Sequence, residues 1–199
     1  MNKFTKTILS SSIFVAILFL IYIVHVIFFP VNVVFYAAIA DALLAAALSA
    51  IIIIVFKFFN VLGYYEKFLL ICIWVLAGYS FAISVPTVLD RSLSFYILEK
   101  LQQRGGGIQM ARMSDVFTQE YMKEHRLVDV RLTEQMQSGT IEIIDGCVRL
   151  TPKGQRIASI SRFFRLNLLP KKRLLMGEYS DDLTNPFRNS VSTPDYLCP

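Results

Sequence analysis

The residues best placed to do chemistry are two ionisable side chains that lie within long apolar segments, Asp41 and His25. A carboxylate inside a lipid bilayer is costly unless it is protonated, paired or hydrated. Asp41 is therefore either a proton-, substrate- or partner-binding group, or a carboxyl that locks helices together; the second interpretation is favoured. His25 is the nearest candidate partner. In an antiparallel helical hairpin the two positions are offset by about four residues, or about 6 Å, so direct contact is possible but not favoured.

Small residues flank Asp41 at helical spacing and predict close helix packing. Two adjacent stripes with four-residue spacing make up the set Ala37, Ala38, Asp41, Ala42, Ala45, Ala46, Ser49 and Ala50. Gly78 and Ala82 repeat the spacing in the next apolar segment. Small side chains let helix backbones approach closely, which drives association in lipid. We expect these positions to bind either a neighbouring helix of this chain or a helix of another protein.

The sequence lacks the motifs of common enzymes and cofactor sites. Gly105-Gly106-Gly107 is without the lysine and flanking strand of a phosphate-binding loop, and neither G-x-S-x-G nor H-E-x-x-H occurs. The three cysteines, Cys72, Cys147 and Cys198, have the spacing of neither a metal site nor a disulfide framework. We therefore expect a non-enzymatic protein with no catalytic residue, no metal and no cofactor.

Charge and hydropathy divide the 199-residue chain into a membrane half and a water-soluble half. Between Ile8 and Leu89 the ordinarily charged side chains are only Asp41, Lys57, Glu66 and Lys67. Apolar runs over residues 8–29, 33–56 and 68–85 are long enough to cross a bilayer, so residues 1–88 are predicted to form a bundle of three transmembrane helices. Pro86 is expected to stop the third span. The first run is interpreted as an uncleaved anchor because it is longer than the apolar part of a signal peptide.

Residues 89–166 show the periodicity of a small α+β domain. Three helices are expected, marked by the apolar stripe of Ser92–Gln103, by the capping residue Ser114, and by Val128, Leu132 and Met136. Alternating apolar residues around Asp145-Gly146 predict a β-hairpin. Thr151-Pro152 predicts the start of a fourth helix. The expected fold class is therefore mainly α, with three transmembrane helices followed by this small α+β domain.

This order of elements resembles a winged-helix domain over about residues 92–164. The segments RLTEQMQSGTI, from Arg131 to Ile141, and VRLTPKG, from Val148 to Gly154, resemble the stretches where the third helix leads into the wing and the last helix begins. The resemblance implies a DNA-reading third helix, with Arg126, Arg131 and Arg149 as the possible nucleic-acid contacts. From Arg112 to Arg156, however, basic and acidic residues balance. A DNA-binding face should be basic, so contact with a protein is favoured.

A basic and apolar segment follows the winged-helix-like domain. Residues 167–177 are predicted to be a basic amphipathic segment at the membrane surface, and residues 178–199 a flexible tail. Basic residues next to apolar ones bind anionic lipid surfaces. The lipid-surface candidates are Arg162, Arg165, Lys171, Lys172 and Arg173. A solvated basic helix end is the open alternative.

These features predict a non-enzymatic accessory or scaffold subunit that packs against a larger integral membrane protein. Its winged-helix-like domain would dock a further partner. The overall arrangement is similar to small bacterial proteins that accompany envelope-glycan or lipid-linked assembly enzymes. A membrane-tethered transcription regulator is the alternative, and a small transporter that uses Asp41 is a third. The expected location is a bacterial inner membrane, with the soluble domain in the cytoplasm; the oligomeric state stays open.

Overall fold

A computed structural model describes residues 2–188 and residue 198 of the chain. The chain divides into two compact units, Met1–Leu127 and Val128–Pro199. The first unit contains the membrane bundle and several short helices. Within the described residues, the second unit contains two helices and two β-hairpins. The unit boundary falls within the predicted 89–166 domain, so the winged-helix resemblance stays a prediction.

Three helices are long and apolar enough to cross a membrane. They are α1, Lys3–Phe28; α2, Val34–Val55; and α3, Tyr64–Ala82, whose helical path continues to Arg91. Asn2 caps α1 by accepting a hydrogen bond from the backbone N–H of Thr5 at 2.9 Å. A 3₁₀ turn at Lys57–Phe59 follows α2. The three apolar helices expected from the sequence are present, with ends that differ from the predicted ones by a few residues.

The sequence predicted that the third span stops at Pro86, but the helical path continues beyond it. Residues Ile83–Thr87 form a π-helical turn that contains this proline, and helix α4, Val88–Arg91, follows directly. Proline lacks the N–H that would bond the carbonyl four residues earlier, at Ala82. The Thr87 hydroxyl donates to that carbonyl at 2.7 Å instead. A side-chain donor thus satisfies a backbone group that would be costly to leave unpaired in lipid.

The remainder of the first unit consists of short helices around a small aromatic cluster. Ser92 caps α5, Leu93–Gln103, and a glycine-rich turn follows. The helix expected after Ser114 is interrupted: a 3₁₀ turn at Met110–Arg112, α6 at Met113–Asp115, a π turn at Val116–Tyr121 and α7 at Met122–Glu124. Tyr96, Val116 and Tyr121 form the buried core of this group of short helices. Helix α8, Leu127–Gln137, then leads into the second unit.

After α8, the second unit contains the predicted hairpin and helix. Strands β1, Ile141–Ile144, and β2, Cys147–Leu150, pair in antiparallel register. Their turn residues Asp145 and Gly146 have positive φ values of 51° and 75°, as a type I′ turn requires. Helix α9, Pro152–Asn167, begins at the Thr151 cap, whose hydroxyl accepts from the backbone N–H of Gly154 at 3.1 Å.

The segment after α9, which was predicted to be a basic amphipathic segment at the membrane surface, contains a second hairpin; its place at a membrane stays a prediction. Strands β3, Arg173–Leu175, and β4, Glu178–Ser180, form a second antiparallel hairpin. The glycine at position 177 has a φ of 97°, so it supplies a left-handed turn conformation that a continuous helix would not need. The predicted tail therefore begins in a strand, and its residues 189–197 and 199 lie outside the described residues.

The structure also corrects the expectation about the cysteines. Cys147, in β2, is paired with Cys198 as a disulfide, with their Cα atoms 5.9 Å apart. Cys72, in α3, is free. The two partners are 51 residues apart in sequence, so only the folded chain could bring them together. Two of the three cysteines, whose spacing predicted no disulfide framework, are therefore paired in this structure.

Candidate functional site

The small-residue stripe of α2 packs against α1 and α3 of the same chain. A Cβ atom added to Gly78 would lie 2.8 Å from the Cβ of Ala42, closer than ordinary side chains approach. The buried members of the stripe are Ala38, Asp41, Ala42, Ala45, Ala46 and Ser49, and Ala82 of α3 is buried as well. Ala37 and Ala50 are partly exposed. Of the two expected uses of this stripe, the structure shows packing within the chain.

Large side chains fill the rest of the bundle core and hold α1 against α3. The rings of Phe14 and Trp74 stack with their centroids 5.6 Å apart, and the Trp74 indole N–H donates to the Ser11 hydroxyl at 3.2 Å. Near the start of α1, the Lys6 ammonium bonds the Phe58 carbonyl and lies 4.0 Å from the centre of the Phe58 ring. These contacts hold the helices of the bundle against one another.

His25 and Asp41 meet at the opposite end of the bundle. His25 Nδ1 lies 2.6 Å from Asp41 Oδ1, and the Asp41 side chain is 8 % exposed. The predicted offset of the two positions is real, since His25 is close to the end of α1 while Asp41 lies about two turns inside α2. Side chains tilt toward the N-terminus of their own helix. In antiparallel helices the two side chains therefore tilt toward each other, which closes the offset.

A cavity of about 330 Å³ opens beside this pair. Its polar lining consists of the His25–Asp41 pair with Tyr22 and Asp90, and its remaining lining is Val26, Val31, Val34, Ala37, Ala38, Pro86 and Leu89. The π turn around Pro86 contributes one wall. Asp41 is thus hydrogen-bonded and mostly buried, with a cavity at its side. This geometry fits a locked carboxyl and also leaves room for a proton or a small ligand.

A second polar cluster, which sequence reasoning missed, surrounds Lys100 of α5. The Lys100 side chain is 5 % exposed, and its ammonium lies 2.7 Å from Glu120 and 2.6 Å from Glu124. The Tyr96 hydroxyl donates to Glu124 at 2.8 Å, and Arg104 pairs with Glu120 at 3.1 Å. A sequence signal was present. Lys100 and Arg104 are four positions apart, and so are Glu120 and Glu124, so the two members of each pair lie on the same side of a helical segment.

Hydrogen bonds within this cluster shift the pKa values of its members. Bonds from Lys100 lower the pKa of both carboxyls, Glu120 and Glu124, and Arg104 lowers that of Glu120 further. The same two carboxylates raise the pKa of Lys100. Burial, followed by the bond to Glu124, raises the pKa of the Tyr96 hydroxyl. All four groups therefore keep their neutral-pH charge state, which indicates a structural ion-pair network.

The possible nucleic-acid contacts have mixed surroundings. Arg131 of α8 pairs with Glu134 on the same helix at 2.8 Å. Arg149 of β2 lies directly opposite Glu142 of β1 in the strand register. Arg126 precedes α8 in a left-handed conformation with φ 43°. Two of the three candidate cations thus lie next to acidic residues.

The lipid-surface candidates lie on α9 and the second hairpin. Arg162 and Arg165 are on α9, Arg173 begins β3, and Lys171 and Lys172 lie just before it. The Arg165 guanidinium lies 5.2 Å from the centre of the Phe187 ring. Among residues 2–188 and 198, no three His, Cys, Asp or Glu side chains are grouped so that they could hold a metal ion.

No protein-family model matches this chain, and no curated protein or solved structure matches it. The geometry itself is therefore the basis for a functional proposal. Its main elements are the internally closed α2–α3 contact, the His25–Asp41 pair beside its cavity, and the apolar and basic surfaces of the second unit.

Proposed function

We propose that this chain is a non-enzymatic accessory or scaffold subunit, anchored by its own three-helix bundle, which docks a partner protein through its winged-helix-like region. The observation that carries the proposal is an exposed apolar surface on β2 and α9. Its members are Val148, Leu150, Ile157 and Ile160, and Ile160 is 65 % exposed. Apolar groups clustered at the surface of a soluble module mark sites of interaction.

Charge supports a protein partner over duplex DNA. The pairing of Arg131 with Glu134 and the placement of Arg149 opposite Glu142 leave little unopposed positive charge near α8 and the first hairpin. DNA binding depends on neutralising phosphates with free Lys and Arg. A surface of balanced charge around apolar residues fits a protein interface better.

The proposed contact with a larger membrane protein moves to a different face of the bundle. The small-residue stripe of α2 is covered by α1 and α3, so a partner helix would bind the outer face of α2, where Leu43, Leu44 and Ile51 are exposed. The three helices would then bind the partner as one preformed bundle, through helix packing in lipid.

The place of this subunit in the cell is part of the same proposal. We propose a bacterial inner membrane, a cytoplasmic second unit, and a role beside envelope-glycan or lipid-linked assembly enzymes. The basic residues of α9 and the second hairpin fit the anionic lipids of a cytoplasmic leaflet, whereas the Cys147–Cys198 pair fits an oxidising compartment better. A reporter that is active only in the cytoplasm should be active when it is fused to the C-terminus of the chain. If only a reporter that requires export is active there, the cytoplasmic placement is refuted.

The docking surface is tested by purifying the full chain from its membrane in mild detergent and identifying the membrane proteins that accompany it. Wild type and Ser159→Asp should retain the same partner, and Ile160→Asp should lose it, because a charge then enters the apolar contact. Ser159 and Ile160 are adjacent and both exposed on α9, so the control matches the added charge. Recovery of a monomer without any partner, or equal recovery with both variants, would contradict the proposal.

The alternative of a membrane-tethered transcription regulator makes a different prediction. It requires salt-sensitive binding of the full chain to duplex DNA that weakens when Arg131 or Arg149 is replaced by glutamine. We expect no such binding, since these residues lie next to Glu134 and Glu142. A steep salt dependence that both substitutions reduce would favour the regulator.

A further inference from the structure

The end of α9 and the second hairpin both carry exposed basic and apolar side chains. We call this the hairpin surface; it comprises Arg162, Phe163, Leu168, Lys171, Lys172, Arg173, Leu174 and Met176. We propose that the hairpin surface docks on the anionic lipid bilayer in which the bundle of the same chain is embedded, with Met176 entering the headgroup layer. This interaction is separate from the protein partner proposed above.

The backbone of the hairpin projects an apolar residue at its tip. Met176 and Gly177 form the turn with positive φ values of 50° and 97°, the pattern of a two-residue hairpin loop. Met176 is 84 % exposed, and the cross-strand pair Leu174 and Tyr179 next to it is exposed as well. The turn therefore presents three large exposed side chains at one end of the hairpin, and exposed apolar groups that lie close together mark sites of interaction.

The charges around the tip are arranged to stay positive. Within the described residues, no ion pair involves Arg162, Lys171, Lys172 or Arg173. The acids that follow the hairpin are held instead by Arg188, which lies 3.0 Å from Asp181 and 2.5 Å from Asp182. The bonds from Arg188 are the main cause that lowers the pKa of Asp181, and the nearby Lys172 lowers it as well. The pKa of Asp182 is lowered first by the hydrogen bond from the Ser180 hydroxyl and then by Arg188. Both carboxylates therefore have a local counter-charge. Glu178 is the acid that remains beside the hairpin.

An internal tie holds the basic residues beside the hairpin. The Thr184 hydroxyl donates to the Lys171 carbonyl at 2.7 Å, and Arg165 stacks on the Phe187 ring at 5.2 Å. The chain after β4 therefore returns to the base of the hairpin and to α9. Because the basic side chains are held on an ordered base, less conformational entropy is lost when they bind a surface.

A bilayer accommodates both features of this surface. Each Lys or Arg close to an anionic membrane strengthens binding about fivefold, and apolar side chains gain further by entering the headgroup layer. Duplex DNA would use the cations but would leave Met176 and Leu174 in water. The interior of a protein interface is depleted of lysine. The tether to an embedded bundle adds a high effective concentration of lipid.

The test is hydrogen exchange on the full chain in lipid nanodiscs, which reports the protection of the backbone over residues 168–180. Discs of phosphatidylcholine alone are compared with discs that also contain anionic phosphatidylglycerol, each at low and high salt. We expect protection of this segment to increase severalfold in the anionic discs and to fall at high salt. Equal protection in both lipids, or no protection in either, would overturn the proposal.

Two matched pairs of variants separate the charge from the apolar tip. Lys171→Gln with Lys172→Gln should abolish most of the anionic-lipid protection, while Arg149→Gln with Arg156→Gln removes the same charge elsewhere in the second unit and should not. Met176→Ser should weaken protection, whereas Met110→Ser, at a residue that is 68 % exposed, should not. Protection that persists in detergent without lipid would indicate self-association and would refute bilayer docking.

Discussion

His25 Nδ1 and Asp41 Oδ1 lie 2.6 Å apart, across the interface between the first two membrane helices. The bond joins the end of α1 to the interior of α2, so it fixes the depth at which the two helices stand against each other. A hydrogen bond of this kind stabilises a bundle in lipid because an unpaired polar group has no water to bind.

The first prediction concerns this pair as a lock. His25→Leu should destabilise the bundle by about 1–3 kcal/mol, since Asp41 loses its partner, whereas Val24→Leu, at an exposed position on the same helix, should have little effect. Thermal unfolding of the full chain in detergent gives the comparison. Asp41→Asn should retain assembly, because an amide can still hydrogen-bond to the imidazole.

The Asp41→Asn variant also distinguishes the structural interpretation from transport. Loss of a transport activity with intact assembly would assign Asp41 a proton- or ligand-binding role in the cavity beside it. Unchanged behaviour of the variant would support the lock.

The second prediction concerns the close approach of α2 and α3. Gly78→Val should destabilise the bundle by about 1–3 kcal/mol through overpacking, because even a Cβ atom would lie 2.8 Å from that of Ala42. Ala77→Val adds branched bulk at the neighbouring exposed position and serves as the control. Resistance to unfolding in mixed detergents is the measurement. If both variants unfold alike, α2 and α3 do not meet at this glycine.

The third prediction is a pH dependence set by Lys100. The lowered pKa values of Glu120 and Glu124 contribute stability above their ordinary value of about 4.3, and this stability is lost as pH falls through the lowered values. The raised pKa of Lys100 contributes stability at pH values below the ordinary lysine pKa of about 10.4. This stability is lost as the pH rises through the raised pKa. The network therefore stabilises the fold most between these limits.

Lys100→Met removes the main cause of both carboxyl shifts. The variant should be less stable at neutral pH, and its unfolding midpoint should change less between about pH 5 and pH 3 than that of wild type. Lys123→Met, on the adjacent α7, removes an equal charge outside the network and should keep the wild-type slope. Parallel pH profiles for wild type and Lys100→Met would show that the network has no role in stability.

The fourth prediction concerns the start of α9. A Cβ atom at Gly154 would overlap the backbone carbonyl of Thr140, and a backbone atom cannot move aside as a side chain can. Gly154→Ala should therefore cost about 1–3 kcal/mol, seen as faster proteolysis or hydrogen exchange in the second unit. Gly107→Ala, where no atom lies near the added carbon, should stay within about 0.5 kcal/mol of wild type. Equal effects of the two substitutions would disprove the close contact.

The sequence by itself determined the elements that depend on local physics. Apolar length specifies a helix that can cross lipid, and the structure has all three such helices. Turn chemistry at Asp145-Gly146 and the Thr151 cap also act over a few residues, and both were predicted at the correct positions. Local signals were misleading at Pro86, because the missing backbone bond is replaced by the hydroxyl of Thr87.

Only the tertiary structure decided which surfaces meet. A small-residue stripe is equally suited to a helix of its own chain or of another, and the contact of Ala42 with Gly78 makes that choice. The His25–Asp41 bond depends on side-chain tilt across two helices, and the Lys100 network depends on two helices facing each other. The Cys147–Cys198 pair joins residues far apart in sequence. Periodicity identifies the face of an element, but the partner of that face is a long-range property that the packing of the folded chain decides.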